Sequence, residues 1–198
     1  PDVLSLRLRM MENAFAVLLC SRGTPMFLSG DEFGDTRYGN NNPYCQDNPV
    51  SWLDWSLIEK NQNRFSFVKY MIAFRKRHPA IRTDLPAGRF SFPSMSFHGI
   101  HPWEPVSDLE SHVLCVLFSG FDKEQQIQDT IYLAINTHWE PVTLFLPDLP
   151  FEWNWHIAVN TGDPSRTIFQ DTEMPPADHT VLLGERSVIL FVVKKRSV

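Results

Sequence analysis

Asp31 and Glu32 are adjacent acids that close the segment Gly23-Thr-Pro-Met-Phe-Leu-Ser-Gly-Asp-Glu-Phe-Gly. Two carboxylates can hydrolyse a glycosidic bond when they face each other across it, about 5–5.5 Å apart for a retaining reaction. Neighbours on an extended strand point to opposite faces. Adjacency therefore predicts one buried, hydrogen-bonded acid and one turned to a cleft, in positioning roles and not as an acid/base pair. Glu32 is the candidate for contact with a ligand.

The stretch that follows, Asp35-Thr-Arg-Tyr-Gly-Asn-Asn-Asn-Pro-Tyr-Cys-Gln-Asp-Asn-Pro, is crowded with amides and phenols. Amide side chains both donate and accept hydrogen bonds. Tyrosines offer a flat face with a polar handle. Such groups suit the paired hydroxyls and apolar ring faces of a sugar. They equally suit turns, in which Asn and Gly satisfy local backbone; both readings stand at this point. The candidate binding set is Glu32, Tyr38, Asn40, Asn41, Asn42, Tyr44 and Asp47. Trp52 and Trp55 could stack on sugar rings or pack the loop against its support. No catalytic residue, metal site or cofactor is assigned. His98, His101, His138 and His156 are scattered without ligand spacing, and Cys45 has no partner signature for a nucleophile.

The elements that must position these groups can be read from periodicity. Residues 2–22 carry Leu4, Leu8, Met11, Phe15, Leu18 and Leu19 on one helical stripe, with Asp2 as N-cap and Gly23 as terminator. Residues 25–28, apolar and bounded by glycines, read as a buried strand. The loop over 30–50 is long enough to be functional. Ser56 and Glu59 have capping-box spacing. Residues 62–77 read as a second amphipathic helix, ended by His78-Pro79. After the turn-rich Leu85-Pro86-Ala87-Gly88, short alternating strands dominate. Residues 131–136, 142–146, 153–160 and 188–192 alternate, 113–118 is a continuous apolar run, and the proline-rich 171–178 is expected as a surface loop. Trp153 and Trp155 share one strand face, expected to be core.

Composition is that of an ordinary globular protein, 43% hydrophobic and 21% charged, with a formal net charge of -5. The acidic balance and the lack of a basic run beyond Lys194, Lys195 and Arg196 disfavour nucleic-acid binding. Three cysteines are too few for a disulfide framework and point to reduced thiols. No apolar stretch reaches the roughly 20 residues of a membrane span. The chain opens without Met and runs directly into a helix, which is expected of a fragment.

The string GTPMFLSGDEFG, then RYGNNNPYCQDN, then SWLDW resembles the eighth strand and loop of isoamylase-type glycogen debranching enzymes. These are glycoside hydrolases of family 13 in the α-amylase clan. Residues 96–100, 131–140 and 186–190 are similar to segments of their C-terminal sandwich. The resemblance implies α/β plus all-β architecture: 1–85 as the end of a (β/α)8 barrel and 86–198 as an antiparallel β-sandwich, the latter expected to fold alone. It implies a retaining hydrolase of α-1,6 branch linkages in glycogen, amylopectin or limit dextrin, with no cofactor and no nucleic-acid or membrane partner, in the cytoplasm or a plastid. It also implies that the three catalytic carboxylates belong to strands upstream of Pro1. A non-catalytic carbohydrate-binding or interaction module, and an amylase or branching enzyme of the same clan, are the alternatives. An exposed aromatic strip would favour the module, and buried tryptophans would count against it.

Overall fold

The computed structural model describes residues 3–104, 106 and 111–196. Asp2, the expected N-cap, lies outside them. The helices are α1 (Val3–Cys20), α2 (Leu57–Lys60), α3 (Gln62–Arg77) and α4 (Pro79–Arg82), and a 3-10 turn spans Asp31–Phe33. The strands are β1 (Met95–His98), β2 (Val113–Asp122), β3 (Ile127–Asn136), β4 (Val142–Phe145), β5 (Trp153–Asn160), β6 (Thr180–Leu183) and β7 (Ser187–Lys195).

Five strands form one sheet in the order β1-β2-β3-β7-β5, and β4 pairs with β6 in a second. All pairings are antiparallel. The central strands carry apolar residues on both faces because both are covered. On one side Val116, Ile131, Leu133 and Leu190 meet Phe15, Leu19, Phe67, Met71 and Phe74 from α1 and α3. On the other side Leu117, Tyr132, Phe191 and Trp155 meet Leu144 and Leu183 of the small sheet. The architecture is thus helices, large sheet and small sheet in three layers.

Local chemistry explains several boundaries. α1 ends at Cys20, short of the expected residue 22, and Gly23, at φ +94°, turns the chain three residues beyond that end instead of capping the helix. Pro79 begins α4 at its first turn, where a missing N–H costs nothing. In β5 a register shift between Ile157 and Val159 breaks the expected strict alternation. Trp155 and Ile157 face the small sheet, whereas Ala158 and Val159 both join the helix side.

Three expectations are corrected. Residues 25–28 form no strand, and Met26 and Leu28 are 86% and 63% exposed. A strand is defined by its neighbours, and no described strand lies beside this run. The Ser56 hydroxyl does not cap α2; it donates to Asp54 Oδ1 at 2.6 Å, and together with the Ser56 N–H it holds the Asp54 carboxyl below its usual range. Finally, residues 86–198 do not enclose their own core. One face of the large sheet is closed only by α1, α3 and α4. Polar ties cross the same seam. Asp129 accepts from Ala80 N at 2.9 Å and lies 2.6 Å from His78 Nδ1, and the Tyr70 hydroxyl donates to Phe169 O at 2.8 Å.

Candidate functional site

The site begins where α1 ends. Gly30 and Gly34, both left-handed, bracket the 3-10 turn that carries Asp31 and Glu32. Asp31 Oδ2 accepts from Leu28 N at 3.1 Å, and Glu32 Oε2 accepts from Gly30 N at 2.9 Å. Both acids are half-buried and both cap local backbone, so the expected division into one buried acid and one cleft-facing acid is not seen. Between them and the next glycine Phe33 is buried, its carbonyl held by Asn61 Nδ2 at 2.8 Å, and its ring lies 5.5 Å from that of Trp55.

Beyond this foot the loop is built from its own side chains. Asn40 Oδ1 accepts from Asn42 N at 2.9 Å, and Asn42 Oδ1 accepts from Tyr44 N at 3.2 Å. These are Asx turns, in which a short amide stands in for a backbone carbonyl. Gln46 ties the two together: its Oε1 accepts from Asn40 Nδ2 at 3.1 Å, and its Nε2 donates to Asn42 O at 2.9 Å. Asp47 accepts from Trp52 Nε1 at 2.8 Å. Tyr38 and Cys45 sit at positive φ where the chain bends.

The loop is closed by a group that the sequence reading passed over. Arg37 Nη1 donates to Val50 O and Trp52 O, each at 3.0 Å, and pairs with Asp35 at 3.2 Å. Asp35 in turn accepts from Asp54 N. The available signal was Arg37, the one basic residue in the turn-rich stretch 30–50, two positions from Asp35.

Of the candidate residues, Asn40 through Tyr44 come together in one folded unit, Glu32 lies at its foot and Asp47 at its far side. Among the described residues Asn41 makes no side-chain hydrogen bond, and the Tyr38 and Tyr44 hydroxyls are likewise unpaired. All three are exposed. The unit is therefore a rigid frame presenting one free amide and two free phenols. Trp52 and Trp55 are also exposed beside it. A cavity of about 710 Å³ lies against Gly34, Thr36, Asn61 and Arg64, and none of the seven candidate residues lines it. The free donors on the loop point to a polar ligand more directly than that open space does. No cluster of three metal-ligating side chains occurs among the described residues.

Trp155 is 4% exposed and donates to Pro147 O at 2.8 Å. Trp153 is half-buried with Phe90 packed edge-on at 5.4 Å and Arg89 over its ring. These two rings belong to the packing of the β-sheet layers and not to an exposed aromatic strip.

The chain is 51% identical to the glycogen operon protein GlgX homolog of Mycobacterium bovis, over 83% of this chain and 25% of that protein. It is 33% identical to chloroplastic isoamylase 1 of Oryza sativa, over 92% of this chain and 22% of that one. Over most of its own length, the chain matches a C-terminal portion of isoamylase-type debranching enzymes. It spans about a quarter of the length of these curated relatives. No family model matches it. Its fold recurs in pullulanases: that of Bacillus acidopullulyticus at TM-score 0.71 and 21% identity, over 94% of this chain and 20% of the other, and that of Bacillus subtilis, complexed with maltose, at 0.70 and 20%, over 97% and 24%. The family's members are thus matched through a C-terminal portion.

Proposed function

We propose that this chain is the C-terminal part of a glycoside hydrolase that cleaves α-1,6 branch linkages of glycogen, amylopectin or a related limit dextrin. In this reading residues 1–85 close a (β/α)8 barrel, and residues 86–198 form the C-terminal β-sandwich, whose large sheet is closed on one face by the helices of 1–85. Exposed Met26 and Leu28 support the barrel assignment, since an apolar run flanked by glycines would pair with strands supplied from elsewhere in the protein. The nucleophile and the acid/base are carried by residues outside this chain. The enzyme works where storage glucan is kept, in the cytoplasm or in a plastid.

The observation that carries the reading is the loop of residues 38–47. Its backbone is fixed by its own amides, and it presents Asn41, Tyr38 and Tyr44 unpaired. Neutral groups of this kind position a neutral polyhydroxylated substrate and cannot transfer protons near neutral pH. Glu32 sets the pitch of the loop from its foot. Loss of a neutral positioning hydrogen bond costs about 0.5–1.5 kcal/mol, so Asn41→Ala in the full-length protein should lower kcat/KM on a branched glucan roughly 2- to 15-fold. No effect from any of Asn41, Tyr38 and Tyr44 would refute the assignment. A loss on the order of 10⁴-fold in kcat at Asn41, with unchanged stability, would mean direct chemistry and refute it too.

A further inference from the structure

A second cavity, about 430 Å³, lies away from the loop, between α1, the start of α3 and the turn at 161–168. Glu12 lines it. This residue is only 6% exposed, yet among the described residues its carboxyl accepts no hydrogen bond. Burial raises its pKa to about 7, with the guanidinium groups of Arg64 and Arg9 opposing the rise. A buried acid is ordinarily hydrogen-bonded. One without a partner, at the wall of an open cavity, is an acceptor waiting for donors.

The rest of the wall says which donors. Asn63, Ser66 and Thr167 reach the cavity with side chains that make no hydrogen bond among the described residues. Leu8, Phe67 and Ile168 supply an apolar floor. Arg9 and Arg166 also line it; Arg9 donates to Glu185 O at 3.2 Å, and Arg166 is paired with Glu173. An anion would meet the Glu12 carboxyl, and a cation would meet Arg9 and Arg166. A neutral ligand with many hydroxyls on an apolar ring meets neither penalty: its hydroxyls donate to Glu12 and exchange bonds with the free amide and hydroxyls, and its C–H face covers the floor.

We propose that this cavity is a non-catalytic binding site for a short α-linked glucose chain, separate from the loop of residues 38–47 and anchored by Glu12. The choice of glucose chain over other polyols rests on the function proposed above. The site would hold one stretch of a branched polymer at the seam of helices and sheet while another stretch engages the loop.

The test is a titration of the isotopically labelled 198-residue chain with maltotriose, following amide signals of Asn63, Ser66 and Thr167 against those of Asn41 and Tyr44. Saturable shifts at the first group are expected. Ser66→Trp, at an exposed position on α3, should block the cavity mouth and abolish them while leaving the loop shifts in place. Glu12→Ala, which removes the anchor without adding bulk, should weaken the cavity binding about tenfold or more. Shifts at the loop alone would overturn this site and leave the glucan function standing. Shifts at neither place would overturn both. Cavity shifts that survive both substitutions, or that appear with inorganic phosphate and not with maltotriose, would overturn the assignment of a neutral polyol.

Discussion

The guanidinium of Arg75, on α3, donates through Nη1 to the carbonyl oxygen of Leu19 at 2.8 Å. The same side chain reaches Ser21 O at 2.7 Å and Gly23 O at 2.6 Å. Carbonyls in the last turn of a helix have no intrahelical donor, and a cation there also meets the negative end of the helix dipole. α3 thereby fixes where α1 ends and where the segment leading to the loop begins.

Arg75→Met should therefore be costly, although methionine packs well. Hydrogen bonds to a charged group contribute about 1.5–3 kcal/mol each and do not add fully, so a loss of about 3 kcal/mol is expected in a urea titration. Arg75→Lys should recover only part, because an ammonium cannot span three carbonyls as a planar fork does. A midpoint unchanged in Arg75→Met would refute the role.

Glu12 gives a pH dependence of definite sign. Its pKa is raised on folding from 4.5 to about 7, so the folded chain binds the proton more tightly. Its contribution is fully present below pH 4.5 and is lost as pH rises through about 7. At about 1.4 kcal/mol per tenfold change in proton affinity, the full span is roughly 3 kcal/mol. Glu12→Gln should remove this slope. Unfolding free energies of the two proteins, measured across the acid-to-neutral range, should diverge in favour of the glutamine variant as pH rises; parallel curves would contradict the buried, unpartnered carboxyl.

Much of the fold could be read in advance because its cues are local. The 62–77 helix is found at those limits, since a proline marks its end, and the strands after residue 95 are bounded by turn-forming residues. What escaped depends on partners distant in sequence. Whether residues 25–28 pair as a strand is decided by other strands. The β5 bulge is invisible in a run of alternating apolar residues. Arg75 and Arg37 bind backbone carbonyls, and no sequence pattern marks a carbonyl. In the loop, Asn40 and Asn42 serve their own turns and Asn41 alone is left free, although residue type could not separate the three.

Gly30→Ala should damage the foot of the loop selectively. Gly30 has φ +103°, and an added Cβ would lie 2.7 Å from Asp35 Cβ and 3.0 Å from Leu53 Cδ2. Strain of this kind costs on the order of 1–3 kcal/mol. Amide exchange at Phe33 and Asp35, whose N–H groups donate to Gly30 O, should accelerate while α3 stays protected. Equal exchange in both proteins would show that the backbone there accepts a side chain.

Residues 86–198 expressed alone should give a collapsed, poorly dispersed amide spectrum. The cut bares Val116, Ile131, Leu133, Val188 and Leu190, all buried against the helices, and strips Asp129 of both its partners. A dispersed spectrum with a cooperative melt would show that the sheet stands without them.

The hydrogen bonds that shape residues 40–52 begin and end almost wholly within the loop, through Asn40, Asn42, Gln46, Asp47 and the staple from Arg37. Such a segment stores its conformation in itself and draws little on the scaffold beneath. It should behave as a transplantable cassette: residues 30–55, set between the ends of a suitable helix pair in a host protein, should keep the Asn40–Gln46 contact. The same autonomy means that the backbone carrying Asn41 is already ordered before any ligand arrives, so little backbone entropy is left to lose on binding.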